Sequence, residues 1–250
     1  MSVLNILSGG AAQGLVASLA PKFRQTTGFE VAGEFGAVGA MAEKLRKGAP
    51  ADLVILTATI IADLAAENLV SRTSMSNVGL VETALAVRAG DPKVAVTNSA
   101  TLRAAFLAAD AIFVPDTEAS TAGIHVAKVL RQLGIAEEVA ARLKIYPNGA
   151  TAMRHLAASD VERPIGCTQS TEIISTPGVV LSGSLPPGSE LVTMYTAAVT
   201  TRAANARQAQ GLIDLLIAPD QAALRERAGF LDAAESGPTG STPPASAASG

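Results

Sequence analysis

Several short segments of the sequence place glycines or hydroxyl side chains directly before a helical pattern, an arrangement suited to binding small anions. In the first, Ser8-Gly9-Gly10 follows an apolar run, Val3 to Leu7, and precedes a helical pattern. Glycines let the backbone approach a ligand closely, and free amides at a helix start favour negative charge. Gly9 and Gly14 have the glycine spacing of a phosphate loop, but Leu15 stands where that motif needs a lysine. The segment therefore favours an anion smaller than a nucleoside triphosphate, or simply a tight turn capped by Ser8.

Two further turns offer uncharged groups after an apolar run. Ala37 and Val38 lie in the turn from Gly36 to Gly39, which lacks the glycine pattern of dinucleotide binding. Gln169 lies in the segment from Cys167 to Thr171, where an amide and several hydroxyls follow a short apolar strand. Both turns are candidate ligand contacts, and both are equally compatible with ordinary loops.

The fourth turn, from Pro115 to Gly123, is the most informative. Ser120 and Thr121 precede a long helical pattern, so that hydroxyls and free amides point the same way and a carboxylate or oxyanion could dock there. The alternative is a helix N-cap in which Asp116 and Glu118 complement the helix dipole. These two readings remain equally open from the sequence.

Conventional catalytic motifs are absent, since the chain has neither a G-x-S-x-G nor an H-E-x-x-H pattern. His125 falls in a predicted helix near the fourth turn, where it could act as an acid or base or simply pack. His155 is a weaker candidate, and Cys167 at a strand end has the position of a small core residue. Asp52 is predicted to be a loop residue before a strand, with no partner that the sequence reveals.

Composition excludes several classes of function. The chain has 250 residues, a net charge of -3, 48% hydrophobic and 3% aromatic residues and no Trp, so the sequence predicts no nucleic-acid partner. One cysteine and two histidines can form neither an internal disulfide nor a thiolate zinc site, and no metal or other cofactor is predicted. No apolar run is long enough to insert into a membrane, and no secretory signal is recognised at the start. The prediction is a cytoplasmic protein, or a periplasmic one if a leader has been removed.

The alternation of strands and helices predicts an α/β fold with mostly parallel sheets flanked by helices. Two long β-compatible runs, 80–90 and 191–201, interrupt this alternation and are interpreted as strands that cross between two lobes. The predicted organisation is lobe one from residues 1–82 and 195–232, lobe two from 83–194, and a disordered tail, rich in Ser, Pro, Gly and Ala, from 233–250.

With these elements assigned, the segments 7–56 and 113–135 and the ending RERAGF resemble the type II periplasmic-binding-protein family, in particular its molybdate-binding-protein-like branch. The match KGAPADLVI, from Lys47 to Ile55, is the most specific. The resemblance implies two lobes hinged by two crossing strands, with a small anion, carboxylate or oxyanion, held between them. It implies contacts with this ligand from these residues: Ser8, Gly9, Gly10, Ala37, Val38, Ser120, Thr121 and Gln169.

Two departures affect the choice of ligand. Molybdate receptors of this branch usually carry paired serines in the first turn and a tyrosine after a late strand, whereas this chain has Ser8-Gly9-Gly10 and Cys167-Thr168-Gln169. The turn before Gly123 resembles that of a side branch that includes aconitate isomerase. The alternative function is therefore a cofactor-independent isomerase of an unsaturated carboxylic acid, with His125, Glu118 or Tyr195 moving a proton. An ABC permease would be a partner only if the protein is exported.

Overall fold

The computed structural model describes residues 2–232 and confirms the α/β class. Its nine strands are β1 (Ser2–Gly9), β2 (Phe29–Gly36), β3 (Leu53–Thr57), β4 (Ser76–Arg88), β5 (Ala111–Pro115), β6 (Leu143–Tyr146), β7 (Pro164–Gln169), β8 (Val179–Ser184) and β9 (Val192–Val199). Its α-helices are α1 (Gln13–Thr27), α2 (Val38–Arg46), α3 (Ala58–Ala66), α4 (Ser99–Ala108), α5 (Thr121–Gln132), α6 (Ala136–Val139), α7 (Gly149–Ala157), α8 (Ser170–Ile174), α9 (Ala206–Ile217) and α10 (Ala222–Arg227). Short 3₁₀ helices span Gly10–Ala12, Arg72–Ser74, Ala140–Arg142 and Pro219–Gln221. The predicted tail, 233–250, lies outside the described residues.

The strands form one sheet in the order β2-β1-β3-β9-β4-β7-β5-β6, with β8 paired to β4. Strand β1 pairs parallel with β2 and β3, and β5 pairs parallel with β6 and β7. The two long strands β4 and β9 pair antiparallel with each other and with their outer neighbours. They therefore join a first half of the sheet (β2, β1, β3, β9 and Ser76–Glu82 of β4) to a second half (the rest of β4 with β7, β5, β6 and β8).

Separate hydrophobic cores lie on the two halves. One cluster packs α1, α2, α3 and α9 on the first half, and two smaller clusters lie among residues 84–185 on the second. Helix α1 shows how the sequence produces this packing, because Leu15, Leu19 and Phe23 recur every four residues and are all fully buried. Each such side chain contributes about 1.5–3 kcal/mol through burial. The residue boundaries of the two lobes given above stay a prediction.

Two local predictions differ from the structure. Helix α2 begins at Val38, inside the segment predicted as a turn, because Ala37 is already the extended N-cap residue. The segment predicted as a polar loop after Cys167 instead continues β7 to Gln169 and then forms α8, which has five residues and is too short to show a helical period.

The sequence revealed no partner for Asp52, and the structure supplies two. It is 2% exposed, and its carboxylate accepts hydrogen bonds from the backbone amides of Asn5 (2.9 Å) and Asn205 (2.8 Å). Asp52 thus ties β1 to the residue before α9, a contact between segments distant in sequence. Within residues 2–232, no helix is both long and apolar enough to cross a bilayer.

Candidate functional site

The turns that end β1, β2, β5 and β7 meet where the two halves of the sheet face each other. A methyl group added at Gly9 would lie 2.8 Å from Val38 Cγ1 and 2.9 Å from Tyr195 Cε1. One added at Gly39 would lie 3.2 Å from the carbonyl oxygen of Ala119, on the turn before α5. The first half of the sheet therefore contacts the second through backbone atoms, and only glycine fits at Gly9 without displacing a neighbour. We call the set Ser8–Gly10, Ala37–Gly39, Ala119–Thr121, Gly149, Gln169–Glu172 and Tyr195 the turn cluster.

Three helix starts in this cluster have no side-chain cap. The N-cap residues of α2, α5 and α8 are Ala37, Ser120 and Gln169, and none of them caps its helix with a side-chain hydrogen bond. Asn148 at α7, by contrast, does cap its helix, accepting a hydrogen bond from the amide of Thr151. The first amides of α2 and α5 are thus unmasked donors at the positive end of a helix dipole, which favours an anion.

Gln169 is a buried amide side chain with no partner. It is 3% exposed, and neither its Nε2 nor its Oε1 makes a hydrogen bond to the described residues. Its neighbour two positions earlier, Cys167, packs in the same cluster as Val126 of α5. Because side chains alternate along a strand, Gln169 lies on the α5 side of β7, at the sheet edge where α5 begins.

Hydroxyl groups without partners lie on the strands beside Gln169. Thr83 of β4 is its register partner, and Thr193 of β9 pairs with Val81, two residues before Thr83. Alternation places all three polar side chains on one face, and the hydroxyls of Thr83 and Thr193 are buried without a hydrogen bond. An unsatisfied buried polar group costs about 1–3 kcal/mol. The folded state is therefore destabilised by unsatisfied polar side chains at the junction of its two halves. Of the three residues, the sequence analysis had identified only Gln169 as a candidate ligand contact.

Glu172 is the functional candidate that the sequence analysis missed. Its carboxylate is fully buried, and its Oε2 accepts a hydrogen bond from the Thr168 hydroxyl at 2.6 Å. The backbone amides of Gly149, Ala150 and Gln169 also bond to it, so it sits on the N-terminus of α7. Burial raises the pKa of Glu172, and these four donors offset part of that effect. One signal was available: Glu172 is the single charged residue between Arg163 and Glu190.

The same carboxylate touches both halves of the sheet. A methyl group at Gly10 would overlap Glu172 Oε1, and one at Gly149 would overlap its Oε2 and the Thr168 hydroxyl oxygen. Tyr195 lies beyond Gly9, and its pKa is raised by burial and by the charge of Glu172. The phenol therefore stays protonated and can donate a hydrogen bond.

The remaining predicted residues are placed as follows. Ser8 is buried, and its hydroxyl donates to the Gly9 carbonyl oxygen at 2.9 Å. His125 is partly buried, and its Nε2 lies 2.8 Å from the Ser189 carbonyl oxygen; since a carbonyl only accepts, Nε2 carries the proton. The side chain of Glu118 is exposed, while Asp116 accepts hydrogen bonds from the amides of Glu118 and Ala119 and so shapes the turn.

Two other candidates lie apart from the turn cluster. His155 stacks on Tyr146 with ring centroids 4.3 Å apart. Cys167 is fully buried in the second half, and desolvation raises the pKa of its thiol to about 12, so it does not form a thiolate near neutral pH. Among residues 2–232, no three side chains of His, Cys, Asp or Glu come together in a way that could hold a metal ion.

The geometry can be compared with known proteins. A family model described as bacterial extracellular solute-binding protein matches residues 4–231. The chain belongs to that family. The chain is 24% identical over 241 residues to an aconitate isomerase of Pseudomonas sp, covering 92% of this chain and 88% of that one. It is 23% identical over 229 residues to the molybdate-binding protein ModA of Escherichia coli strain K12, covering 91% and 88%.

Among solved structures, the chain is similar to the periplasmic molybdate-binding protein of Azotobacter vinelandii. The TM-score is 0.76 with 19% identity, and the match covers 91% of this chain and 98% of that one. These findings confirm the predicted family resemblance and the type II periplasmic-binding fold.

Proposed function

We propose that this protein binds a small anion, a carboxylate or an oxyanion, at the turn cluster between the two halves of its sheet. The observation that carries the proposal is Gln169, whose buried amide group lacks a partner beside the uncapped starts of α2 and α5. A ligand there would satisfy the amide and receive hydrogen bonds from helix amides, without lysine, arginine or metal. The names of the molybdate-binding relatives support the anion class.

The test is a thermal-unfolding screen with molybdate, sulfate, succinate, citrate and tricarballylate, followed by calorimetric titration of those that bind. A ligand at 100 times its Kd stabilises the protein by about 2.7 kcal/mol. We expect Gln169→Leu to weaken binding about tenfold or more. The same variant should unfold at a higher temperature without ligand, because an unpaired buried amide has been removed.

The matched control is Gln210→Leu, in α9, where the side chain is partly exposed and bonds to Asp214. It should leave ligand affinity unchanged. No stabilisation by any anion of the screen at millimolar concentration, or full affinity in Gln169→Leu, contradicts the proposal.

A second candidate function is isomerisation of an unsaturated tricarboxylate, and Glu172 is the observation that favours it. An allylic shift needs one group that removes a proton from a carbon and returns it to another, so that no atom is gained or lost. A buried carboxyl with a raised pKa has the chemistry of such a base, and Tyr195 nearby can donate a hydrogen bond to the substrate. The aconitate isomerase relative supports this candidate.

Its test is incubation with cis-aconitate, without added metal, and observation of the trans isomer by NMR. We expect Glu172→Gln to abolish conversion and Gln210→Leu to retain it. Binding of tricarballylate with no conversion of aconitate would leave anion binding intact and refute the isomerase.

A further inference from the structure

The position of Glu172 constrains what the turn cluster can accept. A negative carboxylate already occupies the amides at the start of α7, and it borders Gly10 of the first turn. When two acidic groups share one buried site, both cannot stay ionised, and one of them takes up a proton. When an anion binds in the turn cluster, either the anion or Glu172 must therefore take up a proton.

We propose that Glu172 is the specificity-determining residue of the turn cluster and that an anion binds there together with one proton, held between that anion and Glu172. This inference rests on the proposed function. It names the ligand class: a weak carboxylic acid, which can share the proton as carboxyl pairs do, rather than the anion of a strong acid such as sulfate.

The polar groups around the site fit a ligand of this class. Gln169 presents an unpaired acceptor, Oε1, as well as an unpaired donor, and the free hydroxyls of Thr83 and Thr193 can play either role. A fully ionised sulfate only accepts hydrogen bonds, so it would leave Oε1 of Gln169 unsatisfied. A carboxylic acid that also carries a hydroxyl can donate from that hydroxyl to Oε1 and accept from Nε2, while the shared proton stays at Glu172.

Within residues 2–232, no cationic side chain forms an ion pair with Glu172. The charged and titratable groups on the elements around α8 have other partners. Glu82 bonds to Ser184, Arg88 to Asp91 and Arg154 to Thr151, and His155 stacks on Tyr146. Arg225 bonds to the carbonyls of Leu216 and Ala218, Lys22 and Arg24 of α1 pair with Asp220 and Glu30, and Cys167 lies in a separate core cluster. The charge of Glu172 raises the pKa of Tyr195, and the phenol of Tyr195 is neutral. Burial raises the pKa of Glu172, which agrees with a proton held at this site.

The experiment is calorimetric titration of the full chain with succinate, tricarballylate and sulfate from pH 5 to pH 10. For the wild type we expect carboxylate Kd to rise about tenfold per pH unit on the alkaline side, as one bound proton requires. Glu172→Gln cannot release this proton, so its Kd should vary little with pH, and its preference for carboxylate over sulfate should fall about tenfold or more. Glu137→Gln, an exposed acid on α6, is the control and should keep the wild-type profile.

The outcomes separate the two proposals. If none of the three anions binds, both the proposed function and this inference fail. If carboxylates bind the wild type with a Kd that is constant across the pH range, or if sulfate binds at least as tightly, anion binding stands and the role of Glu172 is refuted. The wild-type profile decides this even if Glu172→Gln fails to fold.

Discussion

The two glycines around Glu172 allow a sharp test of how this carboxylate is held. In Gly149→Ala, the new methyl group overlaps both Glu172 Oε2 and the Thr168 hydroxyl oxygen. The carboxylate cannot swing away, because its other oxygen already fills the space beside Gly10. We therefore expect displacement of buried atoms and loss of the hydrogen bond from Thr168.

The expected cost follows from these two effects. Overpacking in a tight site costs about 1–3 kcal/mol, and the lost hydrogen bond adds about 1 kcal/mol. Gly149→Ala should therefore lower the free energy of unfolding by about 2–4 kcal/mol. For a chain of this length, the melting temperature should fall by roughly 5–15 °C. Differential scanning calorimetry and urea unfolding measure both quantities.

The control is a glycine-to-alanine substitution at a position where the added methyl group contacts no described atom. Gly211 lies inside α9 with no atom within 4 Å of an added methyl group, so Gly211→Ala should stabilise the protein by up to about 1 kcal/mol. In a Glu172→Ala background, the cost of Gly149→Ala should fall to the part caused by the Thr168 hydroxyl, because the overlapped carboxylate and its hydrogen bond are gone. An unchanged cost in that background, or a Gly149→Ala variant as stable as the wild type, would refute the reasoning.

Three further predictions concern buried groups. The pKa of Glu172 is raised in the folded state, so the stabilisation from this group is complete below the pKa of the unfolded chain and is lost as pH rises through the folded-state pKa. Urea unfolding should show this decline in the wild type and not in Glu172→Gln. Cys167, with its thiol pKa raised to about 12, should resist a thiol reagent at pH 8 and react fully in urea; fast labelling of the native protein would contradict its burial. Asp52→Ala leaves the amides of Asn5 and Asn205 without this partner and should cost about 2–5 kcal/mol, seen as a lower urea midpoint with an unchanged m-value; a cost below about 1 kcal/mol would count against this role.

Sequence alone determined most of the strands and helices and the family resemblance. Apolar residues recur about every two positions in strands and about every four in helices, and any short stretch of sequence shows these periods. They predict the alternation of strands with helices such as α1, and the two long runs that form β4 and β9. The turns at Ser8, Ala37, Ser120 and Gln169 were found for the same reason, because glycine and hydroxyl residues at helix starts are local signals.

Tertiary structure alone decided which of these turns meet and what lies between them. Glu172 belongs to a helix of five residues, and its carboxylate matters because Gly10 and Gly149, distant in sequence, close around it. The partners of Asp52 could not be read from the sequence for the same reason, since Asn5 and Asn205 lie far away along the chain. Burial and hydrogen bonding depend on every element that surrounds a group, whereas the sequence around a residue reports only its own strand or helix.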